Sequence, residues 1–487
     1  MRNVLASCMV LLFIACSGEQ PADSSPQSAG AALSSSTSNK VLVVNVSDDR
    51  TAQNETPLAV NPNNLDNLIT GNNDWNYNDG CGVNASFDGG KTWTKTFPDG
   101  FLPGVTKYTN DPDVPGTGSY DFGGDPAVAF GPDGTAYFAC FGYQAYPPYE
   151  VALLLSRSTN GGVTWTSPKG SGQPLTVVSK FTGNGQAKGS TGQFPDHESI
   201  TVAPDGTIYA TWAQFNGYGT HSPIYVATSV DNGVSFSAPQ KVTSGTVRND
   251  QDARIAINPK TGTAYLTFDN SIQGGKGTAM YVSKSSDLGA TWSAPYQFGT
   301  FQNPVCVYPP YCFTISGIGE FRGPGSYPSP AIDLSQDRLF VAYTDTVGGV
   351  AQIFLTSAPL SDITNWTPQP VPAGTGDRIN VEMSIEPGSG RIDLMTNDRS
   401  WSPDKLFDVT YLGSFDHGAH WTVRRVTPSS WDPSTWGVPT LSGGFRPFIG
   451  DYDGIVSLPN AVGMTWTGPG KRYAPTNLEV YFGRLTP

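Results

Sequence analysis

The chain has 487 residues, a formal charge of −13 and only 14 % charged residues. Without a basic stripe to neutralise phosphates, nucleic acid is excluded as a partner. Its 56 glycines and 40 prolines, set among short apolar runs, are the composition of a turn-rich all-β protein.

Residues 1–16 do not read as part of the fold. Arg2 supplies a short positive region, and Val4 to Ile14 is too short to span a bilayer. The run Phe13-Ile14-Ala15-Cys16 resembles a bacterial lipobox. That resemblance implies a signal peptide cleaved before Cys16 and a lipid on its thiol. It places the chain in the cell envelope, on the outer membrane or cell surface, touching membrane only through the anchor. Residues 17–39, rich in Ser, Ala, Gly and Pro, read as a flexible tether to a single domain over 40–487. The apolar run at 40–46 has no partner of its own and is expected to close a ring as the outer strand of the last repeat.

Two patterns then alternate along the chain. One is strand, Pro- or Gly-containing turn, strand, as in Ala127-Val-Ala-Phe130-Gly-Pro132-Asp-Gly134-Thr-Ala-Tyr137. Seven versions occur, starting near residues 57, 127, 199, 254, 331, 381 and 454. The other is S-x-D-x-G-x-T-W, with Asp88, Asn160, Asp231, Asp287 and Asp416 at its third position. In such a hairpin the Asp or Asn accepts backbone N–H groups across the turn and the Gly supplies a positive φ. The Thr continues the returning strand, and the aromatic packs back beneath the turn. Repetition at this spacing defines a repeat architecture.

These hairpins resemble the Asp-boxes (BNR repeats) of sialidases and related β-propellers. The resemblance implies one all-β propeller of four-stranded blades, with the boxes at blade edges away from the substrate face. The repeats number seven, with six, as in true sialidases, as the alternative.

An even number of cysteines remains once Cys8 is removed with the leader and Cys16 is lipidated. Two disulfides are expected, a short loop Cys306–Cys312 and a Cys81–Cys140 staple between the first two repeats.

Superposing the repeats on the Pro after each inner strand brings Glu55, Asp125, His197, Asp252, Asn380 and Tyr452 to one register, and strand alternation places Ser329 there in the fifth repeat, which lacks that Pro. In a propeller this end of the strand borders the central funnel, so these residues and their neighbour Glu198 are candidates for ligand contact. A structural cation such as calcium fits so acidic a mouth; no other cofactor is implied. Arg248, Arg322, Arg378 and Arg446 precede four inner strands, and guanidinium forks suit sugar carboxylates. The family's Arg-Ile-Pro and complete arginine triad are not found. The reading that follows is a monomeric, envelope-anchored, sialidase-like glycosidase acting on an anionic glycan. Asp125, Asp252, Glu382 and Tyr452 are its catalytic candidates, with His197, Glu198 and the four arginines binding substrate. A polysaccharide lyase and a non-catalytic glycan- or protein-binding propeller are the alternatives.

Overall fold

Each repeat folds into one antiparallel blade, and seven blades of four strands form a closed ring. The computed structural model describes residues 41–48, 51–75, 80–97, 101–109, 113–144, 146–147, 149–182, 192–217, 221–270, 279–302, 325–404, 406–439, 445–470 and 476–487. Blade 2 shows the plan: Phe122–Phe130 lines the axis, followed outward by Ala136–Tyr143, Glu150–Ser158 and Thr176–Thr182. Blades 3 to 7 begin with the inner strands Gln193–Val202, Gln251–Ile257, Ser329–Asp333, Arg378–Ile385 and Gly454–Leu458. Blade 1 has its inner strand in two pieces, Gln53–Asn54 and Leu58–Asn61, on either side of Glu55.

Middle strands face neighbouring blades on both sides, so both of their surfaces are apolar. Leu153, Ala139, Trp212 and Phe181 pack in one cluster that runs from blade 2 into blade 3. The apolar run near the N-terminus does close the ring. Leu42–Asn45 pairs with the last strand, Leu478–Leu485, placing Val44 opposite Phe482, and Val46 N–H donates to Val480 O at 2.8 Å. A closed ring leaves no long unpaired edge.

The five S-x-D-x-G-x-T-W turns share one hydrogen-bond pattern. In the first, Ser86 Oγ accepts from Gly90 N–H at 2.9 Å, while Asp88 accepts from Thr92 N–H at 2.9 Å and Thr92 Oγ1 at 2.7 Å. Asp231, Asp287 and Asp416 repeat it, and Asn160 does so through its amide. Each turn also seals a junction. Gly162 has φ +98°, and a Cβ there would lie 2.7 Å from Ile69 Cγ2 in the preceding blade. Blade 5 has a shortened version in which Asp362 accepts from Thr364 N–H at 3.0 Å and Trp366 donates to Ile363 O.

All of these turns join the third and fourth strands, at the end of the blade remote from the start of the inner strand. The Cys81–Cys140 disulfide links the third strand of blade 1 to the second strand of blade 2, with 6.5 Å between Cα atoms. Cys16, Cys306, Cys312 and Arg322 lie outside the described residues.

Candidate functional site

Inner strands should alternate side chains between channel and neighbouring blade, but near their upper ends the register slips. The pairing jumps from Gly124 to Ala127, from Asp196 to Ser199, from Gln251 to Arg254 and from Ile379 to Glu382, each time setting two residues against one. These are β-bulges. The residue at each bulge is left-handed: Asp125, His197, Asp252 and Asn380 have φ between 51° and 55°, and Glu55 follows with 59°. Such a conformation costs a non-glycine residue about 1–3 kcal/mol. Five of the seven residues aligned from the sequence therefore share one strained backbone state, which turns their side chains together at the mouth. Ser329 and Tyr452 complete the ring without it.

His197 is the hub. Its Nδ1 faces Asp252 Oδ1 in an ion pair, its Nε2 lies 3.4 Å from Asp451 Oδ2, and the rings of Tyr327 and Tyr452 flank it at 5.1 and 6.0 Å. Burial alone would lower its pKa, but Asp252, Asp451 and Asp196 outweigh burial and raise it well above 6.5. The His197 backbone N–H donates to Asp125 Oδ2 at 3.1 Å, and Asp125 N–H donates to Asn73 Oδ1 at 2.8 Å. Asn73 also donates through its amide to Glu55. Tyr452 donates its hydroxyl to Pro126 O at 3.0 Å, and burial among carboxylates raises its pKa.

Below the ring lies a cavity of about 170 Å³ lined by His197, Glu198, Asp252, Arg254, Glu382, Tyr452 and Asp453 together with apolar inner-strand residues. Arg254 of blade 4 pairs across it with Glu382 of blade 6, which also accepts from Ser329 Oγ at 3.2 Å. Asp453 accepts from Asn380 and Asn397 on one oxygen and from Thr56 and Thr467 on the other. Glu198 differs from all of these. It is 4 % exposed, and neither carboxyl oxygen has a hydrogen-bond partner of full geometry. Burial first, then the charge of Asp125, raise its pKa well above 4.5. Asp252 Oδ2 is likewise unpartnered.

The sequence-derived arginines do not form one funnel. Arg378 departs most clearly: it is buried, with Nε 2.9 Å from Asp398 Oδ2 and Nη1 donating to Pro372 O, so it braces blade 6. Arg248 is exposed, and its carbonyl accepts from Ser222 N–H. Arg446 lies on the rim, its guanidinium 5.8 Å above Trp75 and 5.5 Å above Phe448. Trp75 is fixed there by donating from Nε1 to Asn54 Oδ1 at 2.8 Å, next to Glu55 of the ring.

Two site residues were not singled out from the sequence. Arg254 stands two positions after Asp252, and strand alternation would have assigned it to the channel. Asp269, fully buried with both oxygens unpartnered, sits opposite Gln251 on the second strand of blade 4. Only the strand pairing reveals it. Among the described residues, no group of three or more His, Cys, Asp or Glu is arranged to hold a metal ion.

No protein-family model and no curated protein matches this chain. Solved structures similar to it include an ulvan lyase of polysaccharide lyase family 25 bound to a GlcA–Rha3S unit, at 13 % identity and TM-score 0.48 over 90 % of this chain and 95 % of that one. A Hadza microbial sialidase is 15 % identical with TM-score 0.45 over 90 % and 66 %. An α-L-arabinofuranosidase from Fusarium graminearum, in complex with an iminosugar inhibitor, is 14 % identical with TM-score 0.45 over 77 % and 97 %. Likeness at this level adds nothing to a fold established by the strand pairings.

Proposed function

We propose that this protein is an envelope-anchored propeller that hydrolyses a glycosidic bond of an anionic glycan at its channel mouth. One observation carries the reading: two carboxyl groups line one cavity in unlike surroundings. Glu198 is buried with no hydrogen-bond partner of full geometry, whereas Asp252 Oδ1 faces the imidazole of His197. Paired carboxyls in unlike surroundings can divide the work of glycoside cleavage. Glu198 protonates the leaving oxygen, and Asp252 stabilises positive charge at the sugar carbon or activates water. Arg446 over Trp75 and Phe448 offers a rim where a sugar ring stacks while its carboxylate meets the guanidinium.

Elimination from a uronic acid would instead need His197 or Tyr452 as base, and the pKa of each is raised, that of His197 by its carboxylate neighbours against burial and that of Tyr452 by burial first. A non-catalytic glycan- or protein-binding propeller remains the second reading, favoured by carboxylates that are already engaged, such as Glu382 by Arg254.

The test is to assay release of new reducing ends from sialosides, uronic-acid polysaccharides and neutral glycans. Glu198→Gln and Asp252→Asn should each lower turnover by about 10²-fold or more, as expected for loss of a general acid or base, while glycan binding persists. Binding by the parent with no new reducing ends, and no change in either variant, would replace hydrolysis with the binding reading.

A further inference from the structure

Fourteen large apolar side chains are exposed among the described residues, and six of them sit in the box turns. They are Phe87, Val163, Val230, Val234, Leu288 and Phe415, between 38 % and 75 % exposed. Isolated apolar side chains on a surface are ordinary. These come from five blades and one face, because every box joins the third and fourth strands at the end remote from the His197 ring.

The N-terminal segment emerges on the same face. Leu42 is paired with Arg484, whose guanidinium donates to Gly89 O at 3.0 Å inside the first box turn. From there the strand runs toward the ring and leads through Gln53–Asn54 into Glu55. Roughly two dozen residues, rich in Ser and Ala, separate Cys16 from this exit. If those residues form the tether expected from the sequence, its root-mean-square reach is about 27 Å. That is close to the height of a blade, about 27 Å for an eight-residue strand. A lipid on Cys16 would thus hold the box face, where the chain exits, near the bilayer, whereas presenting the ring face would use that whole reach to pass the blade.

We infer that the box face is the docking surface of this propeller for a phospholipid bilayer, with the chain's own lipidated Cys16 as anchor and the channel mouth directed away. The inference rests on the lipid anchor expected from the sequence and is independent of the hydrolytic reading. The turn donors that lower the pKa values of Asp88, Asp231, Asp287 and Asp416 keep carboxylates between the apolar tips. The surface therefore mixes apolar tips with charged groups, as a zwitterionic headgroup layer requires.

The test uses the full lipidated chain in phosphatidylcholine vesicles containing a headgroup-level spin-labelled lipid as quencher. A bimane is placed at Val230→Cys on the box face or at Val347→Cys, in an exposed turn at the opposite end of blade 5, with the parent's labelling as background. Loss of fluorescence at 230 with none at 347 is expected. Replacing Phe87, Leu288 and Phe415 by Ser should weaken the quenching at 230 while the protein still floats with the vesicles. Equal quenching at both positions, or quenching at 347 alone, overturns the face assignment. So does quenching at neither, and a dimer mass by light scattering would then give the face to a second copy. Failure of the chain to float overturns the anchor itself, and none of these outcomes depends on glycan turnover.

Discussion

The ion pair across the channel offers a sharp test of how the site is held together. Replacing Arg254 by Met removes the cation paired with Glu382, whose side chain is 7 % exposed. Leaving one charge of a buried pair behind costs about 3–5 kcal/mol. The lower end applies here, because Ser329 Oγ still donates to Glu382 and the Arg254 side chain is 21 % exposed. The double variant Arg254→Met/Glu382→Gln keeps an oxygen for Ser329 and buries no charge, so it should lie within about 1.5 kcal/mol of the parent. Urea unfolding read by tryptophan fluorescence measures all four proteins, and the coupling energy follows from the cycle. If the two single deficits simply add in the double variant, the pair is not a unit and the channel is not braced across blades 4 and 6.

Gly162→Ala should destabilise by about 2–4 kcal/mol, from a left-handed alanine plus the contact with Ile69, and Gly206→Ala, left-handed but with nothing within 4 Å, by only about 1 kcal/mol. Similar values for the two would mean that the box turns do not seal blade junctions. Arg446→Ala should weaken binding of a carboxylated glycan about tenfold, the order of one charged hydrogen bond, without lowering the unfolding midpoint. Lost stability with unchanged binding would make Arg446 structural. Asp250 is buried with no hydrogen-bond partner of full geometry, which raises its pKa from 3.8 to about 7. Its folded state holds a proton that the unfolded chain releases, so this contribution to stability is complete below pH 3.8 and is lost as pH rises through about 7, by about 4 kcal/mol in all. Asp250→Asn should flatten the stability profile across that window, and an unchanged slope would refute the assignment.

The blades were legible because each rests on local chemistry repeated many times. Ser86, Asp88, Gly90 and Thr92 specify their turn within seven residues, and four more copies repeat the statement. Ring closure was legible for the opposite reason: the run at 40–46 made no local sense without a distant partner, and the last strand was short of one. The ring of mouth residues was readable by register alone, since equal positions counted back from the end of each inner strand come to one height. The left-handed backbone at those positions was not, because Asp, Glu, His and Asn do not announce a positive φ as Gly does.

What register could not give was direction and partnership. Arg378 and Arg446 occupy comparable stretches before inner strands, yet one guanidinium is buried against Asp398 and the other lies over two aromatic rings. The difference comes from Asp398 on the neighbouring strand and from Trp75 in a loop of another blade, contacts between residues far apart in sequence. The same holds for Glu198 and Asp252. Each stands close to another acid in sequence, Glu198 to Asp196 and Asp252 to Asp250, so composition alone predicts a uniform acidic rim. The fold gives them different surroundings, Glu198 with no hydrogen-bond partner of full geometry and Asp252 against the His197 ring. That difference, rather than the number of acids at the mouth, is what supports the hydrolytic reading.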